Sequence, residues 1–151
     1  MGELLGKMTL WEKISLLSGK DVFTSKPLPR LQIPSICFSD GPHGIRKQLG
    51  DADHLGIHQS CKATCFSTAV GMAVSWNTEL IEQIGECLGE EAASLGVNVL
   101  LGPGLNIKRN PLCGRSFEYF SEDPYLAGKM AAAYVRGIQS QGVYACPKHF
   151  A

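Results

Sequence analysis

A parallel α/β fold is what this sequence predicts, and three observations predict it. Helical and extended patterns alternate along the whole chain. The extended stretches, in "SICFSDGPHG", "VNVLLGPGLNI" and "VYACPKHF", are short and apolar, as strands buried in a parallel sheet are. Charged residues gather at or just beyond the end of each one, where a parallel α/β fold places its site.

The elements follow in order. Thr9 stands ahead of a helical stretch with Glu12 three residues on, the pattern of a capping box. Leu10, Ile14 and Leu17 share one face of that helix, and Gly19 suits its end. Pro27, Pro29 and Pro34 make the next stretch a connecting loop. A short strand then leads to Asp40 and is stopped by Gly41 and Pro42, and residues 46–64 form a long polar loop. Asn77 or Thr78 caps the next helix, in which Leu80, Ile81, Ile84, Leu88, Ala92 and Leu95 trace an apolar stripe ending at Gly96. A second strand within residues 97–107 halts at Gly102-Pro103-Gly104. A loop rich in charge and aromatics precedes an alanine-rich helix, with Pro124 near its start and Gly142 past its end. The third strand lies within residues 143–150.

Composition narrows the function. A chain of 151 residues can bury a core of its own. Its 14 basic and 14 acidic residues balance, without the basic excess that nucleic acid or an anionic membrane surface selects. No apolar run approaches the roughly 20 residues of a membrane span. Charged residues interrupt the first apolar stretch, so no secretory leader is expected and the chain is placed in the cytoplasm, or taken as a mature chain without its leader. The six scattered cysteines are expected as free thiols. His54, His58, Cys61 and Cys65 crowd into one loop, but structural zinc sites pair their ligands in two separated knuckles. An ordinary polar loop is the expectation there, with no metal and no cofactor.

Three strand ends bring chemistry together: Asp40 at the first, Arg115 and Glu118 beyond the second, Lys148 and His149 at the third. A carboxylate that accepts paired hydroxyl protons, beside cations that donate to hydroxyl oxygens, suits a polyhydroxyl ligand. Phe117, Tyr119 and Phe120 offer apolar walls for it. Each residue also has a plainer role open to it. Asp40 could cap a turn, Arg115 and Glu118 could be a surface pair, and Lys148 with His149 could be a solvated tail. Glu90 and Glu91 are adjacent on an amphipathic helix and are expected to face solvent.

The strings "SDGPHGIRKQ", "LLGPGLNIKRNPLCGRSFEYFSEDPYLAG" and "ACPKHFA" closely resemble the N-terminal catalytic domain of glycoside hydrolase family 3, in its β-glucosidase-like branch. The resemblance extends over nearly the whole chain. It implies a (β/α)8 barrel, of which residues 1–151 would be the N-terminal portion, since a full barrel takes about 250 residues. It also implies a retaining enzyme acting on a β-linked glucoside or oligosaccharide from the non-reducing end. Asp40, Arg115, Lys148 and His149 match the family's sugar-binding residues, and Arg46 falls at the far end of the first motif. The family's nucleophile and acid/base would lie beyond residue 151, so no catalytic residue is assigned in this chain and no hydrolysis is expected of it alone. A stand-alone carbohydrate-binding module is the alternative.

Overall fold

The computed structural model describes residues 2–50 and 57–150. Two short helices, α1 (Gly2–Lys7) and α2 (Leu10–Leu16), come first. Strand β1 (Phe38–Asp40) is followed by α3 (Ala69–Val74) and α4 (Thr78–Ser94), then by β2 (Val99–Leu101). Helix α5 (Pro124–Ser140) leads into β3 (Tyr144–Ala145). The strands form one parallel sheet in the order β1-β2-β3, with Phe38 opposite Val99 and Val99 opposite Tyr144. Parallel pairing puts all three C-terminal ends on one side. Asp40, Gly102 and Cys146 therefore begin the loops of a single rim.

The helix signals act as their chemistry predicts. Thr9 Oγ1 accepts from the Glu12 amide while the Glu12 carboxylate accepts from the Thr9 amide, so both halves of the capping box are made. Asn77 caps α4 through the Leu80 amide, and Asp123 caps α5 ahead of Pro124. Helices α4 and α5 pack side by side over one face of the sheet. Ile81, Leu88, Ala92, Leu100, Met130, Ala133, Tyr134 and Ile138 are buried between them. Each large side chain there contributes about 1.5–3 kcal/mol by leaving water. Close approach depends on glycine: a Cβ on Gly85 would lie 2.6 Å from the Tyr134 carbonyl oxygen and 3.1 Å from Gly137 Cα.

Three features of the packing go beyond what the sequence pattern shows. Among the described residues, helices cover only one face of the sheet, and Phe38, Asp40, Val99 and Leu101 on the other are half-buried. The outer edge of β1 is not bare, because Phe38 N–H donates to Phe23 and Ser25 N–H donates to Ile36. The apolar face of α2 is not in a core: Leu10, Ile14 and Leu17 are 69%, 45% and 89% exposed. This two-turn helix is held by polar contacts instead, Arg30 Nε and Nη2 meeting the Glu12 carboxylate at 2.9 and 2.7 Å. Those bonds pull the Glu12 carboxyl down to about 2. Among the described residues, no helix is long and apolar enough to cross a membrane.

Candidate functional site

Asp40 reaches the rim because β1 ends there and the chain must turn at once. Gly41 makes that turn at φ +131, where an added Cβ would collide with the Gly44 backbone. The loop that follows is anchored at three points. Arg46 N–H donates to the Asp40 carbonyl at 2.9 Å, and Ala69 N–H, at the start of α3, donates to His43 Nε2 at 3.0 Å. From beneath, the buried Tyr134 hydroxyl donates to the Pro42 carbonyl at 2.6 Å. Burial pushes the Tyr134 hydroxyl well above its ordinary value, and it pushes His43 below the ordinary 6.5. His43 is thus the neutral acceptor that its bond requires.

The glycine-proline turn after β2 grips the third strand end. Lys148 N–H donates to the Pro103 carbonyl at 2.9 Å, and Leu105 N–H donates to the Lys148 carbonyl at 2.8 Å. Held on both sides, Lys148 is no solvated tail. Its Nζ lies 3.0 Å from Asp40 Oδ1 and 3.3 Å from Glu118 Oε2. Arg115 closes the cluster with Nε 2.6 Å from Glu118 Oε1. A surface pair is likewise ruled out for these two, since the Glu118 side chain is 3% exposed. Its burial opposes ionisation, but the Arg115 hydrogen bond and the Lys148 charge outweigh that and hold its carboxyl below the ordinary range.

These groups surround a cleft of about 440 Å³, lined by Asp40, His43, Arg46, Arg115, Phe117, Glu118 and Lys148 among others. Its volume falls within the range of small-molecule sites. Of the five residues matched to sugar binding, Asp40, Arg46, Arg115 and Lys148 therefore line one hollow. His149 stands behind it: Nδ1 pairs with the Tyr119 hydroxyl at 2.9 Å and its backbone N–H donates to Asn106 Oδ1. Burial and the Arg115 charge push His149 below the ordinary imidazole value. A separate hollow of about 320 Å³ beside Phe23 and Phe38 gathers less chemistry. Its Asp21 is already occupied by the Phe23 and Thr24 amides and the Thr24 hydroxyl.

The charges around the cleft nearly cancel, two carboxylates against Arg115, Lys148 and the rim guanidinium of Arg46. A neutral polyol fits this pattern, because the exposed Asp40 carboxylate can accept from its hydroxyls while the cations donate to its oxygens. Of the four residues weighed as zinc ligands, His54 lies outside the described residues, and among the described residues no three His, Cys, Asp or Glu side chains converge as a metal site. Glu91 departs from expectation. It is half-buried, and its Oε1 accepts from the Thr64 amide and hydroxyl at 2.9 and 3.2 Å, tying the loop before α3 to α4. The tie spans 27 residues, so helix periodicity gave no sign of it.

Comparison with known proteins places these features in context. Residues 6–151 match the family model described as the glycosyl hydrolase family 3 N-terminal domain. Thermostable beta-glucosidase B of Acetivibrio thermocellus is 57% identical over 149 residues, which are 99% of this chain and 20% of that protein. An exo-alpha-(1->6)-L-arabinopyranosidase of Bifidobacterium longum is 52% identical over 145 residues, 95% of this chain and 19% of that protein. The structure of beta-glucosidase 3B from Thermotoga neapolitana in complex with alpha-D-glucose superposes with a TM-score of 0.88 at 41% identity, covering 99% of this chain and 22% of that one. The beta-glucosidase from Kluyveromyces marxianus in complex with glucose gives 0.90 at 40% identity, with 99% and 17% covered. The chain thus spans about a fifth of the length of the curated relatives it matches.

Proposed function

The chain belongs to glycosyl hydrolase family 3, and from that premise we propose that it supplies the sugar-holding side of a retaining β-glucosidase site. The observation that carries this reading is the junction at Lys148. One ammonium joins the end of β1 to the end of β3, through Asp40, at the mouth of a cleft of sugar size. Asp40 accepts from sugar hydroxyls, while Lys148 and the terminal nitrogens of Arg115 donate to hydroxyl oxygens. Arg46 lines the outer mouth. His149, held by Tyr119 and Asn106, lies next to Lys148 and completes the proposed sugar-binding set.

Hydrolysis with retention needs two carboxyl groups about 5 Å apart, one a nucleophile and one an acid/base. Asp40 and Glu118 are the carboxylates among the described lining residues, and both reach Lys148. They are nonetheless poor candidates for that pair. Glu118 has both oxygens engaged by cations and is held ionised, the reverse of an acid/base carboxyl. Asp40 is bound to the ammonium that also grips the sugar. The reacting pair is therefore proposed to come from outside residues 1–151.

The named relatives are enzymes, which favours this reading over a binding module. The arabinopyranosidase relative supports a second substrate, an α-L-arabinopyranoside, since the same side chains can grip hydroxyls of either pyranose. The test is a chimera in which residues 6–151 replace the matching stretch of the Acetivibrio thermocellus enzyme. It should hydrolyse an aryl β-D-glucoside faster than an aryl α-L-arabinopyranoside, and Asp40→Ala should abolish turnover. The isolated chain should hydrolyse neither. A folded chimera indifferent to Asp40→Ala would refute the proposal, and faster arabinopyranoside turnover would favour the second substrate.

A further inference from the structure

Glu118 is buried deeper than any other charged side chain of the site, and it touches two of the five residues proposed to hold sugar, Arg115 and Lys148. We infer that Glu118 is a positioning residue: a fixed counter-ion that sets Arg115 and Lys148 in place, so that of the two carboxylates a sugar meets Asp40 alone. The inference rests on the sugar-holding role proposed above.

The two carboxylates that share Lys148 differ in what water or a ligand can reach. The Asp40 side chain is 39% exposed and that of Glu118 is 3% exposed. An entering hydroxyl can replace the Lys148–Asp40 bond at the open end of the cleft. It has no comparable access to Glu118, whose two oxygens are already divided between Arg115 Nε and Lys148 Nζ. A buried carboxylate stripped of those partners would be costly, so cations and carboxylate fix one another.

The backbone fixes Glu118 from behind. It closes the 3-10 turn Ser116–Glu118, in which its N–H donates to the Arg115 carbonyl at 3.2 Å. Gly104 bridges to Tyr119 on one side and to Lys148 on the other. A Cβ on Gly104 would lie 2.7 Å from the Glu118 carbonyl oxygen, so this close fit needs glycine. The result is a short path from the end of β2 to both cations. Arg115 spends Nε on Glu118, which orients the guanidinium plane and leaves its terminal N–H groups for the ligand.

The chimera described above tests this with Glu118→Gln, Glu118→Asp, Arg115→Met and the Glu118→Gln/Arg115→Met double variant. Glucose inhibition constants, KM and kcat are measured alongside thermal stability. Glu118→Gln should weaken glucose binding by about tenfold or more, as the loss of hydrogen bonds to charged groups does. The fall in kcat should be smaller than the rise in KM. The same substitution should cost clearly less in the Arg115→Met background, where one of its partners is already gone. Glu118→Asp keeps the charge and should recover part of the binding, and it carries the test if Glu118→Gln does not fold.

Glucose binding within about twofold of the parent in both Glu118 variants overturns the inference. So does an equal loss with and without Arg115, or a collapse of kcat with glucose binding intact, which would make Glu118 a reacting carboxyl. An unsubstituted chimera that folds yet neither binds glucose nor hydrolyses glycosides would instead refute the glycosidase reading on which the inference stands.

Discussion

Adding one methyl group to Gly137 should force α4 and α5 apart, whereas the same methyl on Gly128, in the same helix, should stabilise the protein. Gly128 is exposed and has nothing within 4 Å of an added Cβ. Alanine there gains the helix propensity that glycine lacks, about 0.8–1 kcal/mol. Gly137 is buried against α4, and its added Cβ would lie 2.8 Å from the Glu86 nitrogen and 2.9 Å from the Gly85 carbonyl carbon. These are backbone atoms and cannot rotate away. Overpacking of this kind costs about 1–3 kcal/mol, and separating the helices also loosens Tyr134 and Ile138, so the cost should exceed the propensity gain. The Arg136–Glu82 pair beside it is exposed and contributes too little to alter the balance. Urea unfolding of the chain followed by far-UV circular dichroism reads both variants. The expected ordering is Gly128→Ala above the parent and Gly137→Ala below it, with unchanged m values. A Gly137→Ala variant as stable as Gly128→Ala would refute the glycine-mediated contact.

Tyr134→Phe removes the hydroxyl bound to the Pro42 carbonyl and should cost about 1–2 kcal/mol by the same unfolding assay, since Pro42 is half-buried and water replaces the bond only in part. No change would mean that α5 does not anchor the loop after Asp40. The histidines give a pH dependence. His43 and His149 are both held below 6.5, so the unfolded chain binds more protons than the folded one just below that value. Stability is therefore full above about pH 6.5 and is lost as pH falls through the lowered folded values. His43→Gln should flatten part of that slope in unfolding curves measured between pH 7.5 and 5 (about the range in which imidazole titrates). A slope unchanged by the substitution would contradict the role given to His43.

Local chemistry made much of this fold legible from the sequence. The Thr9 and Glu12 capping box, the Asn77 cap and the end of β1 at Asp40 each depend on residues within a few positions of one another. Helices α1 and α3 have six residues each, too few for a periodic stripe to stand out. The apolar face of α2 has the spacing of a core helix, but periodicity records amphipathicity and not whether a partner is present. The site divides in the same way. Asp40 was placed by its own strand, while Lys148 taken alone looked like a tail, because its anchors are backbone groups of Pro103 and Leu105 more than forty residues earlier. Arg115 and Glu118 have the same i,i+3 spacing whether they are a surface pair or a buried one. Only the approach of Gly104 and Lys148 distinguishes the two.

A crystal structure of the chimera with glucose would show whether Asp40, Arg115 and Lys148 hold a sugar while Glu118 holds the cations. Glucose hydroxyls are expected within about 3.2 Å of the Asp40 carboxylate, the Lys148 ammonium and the Arg115 guanidinium, with Glu118 still paired to both cations and touching no sugar atom. Glucose seated away from Asp40, or hydrogen-bonded directly to Glu118, would contradict this assignment.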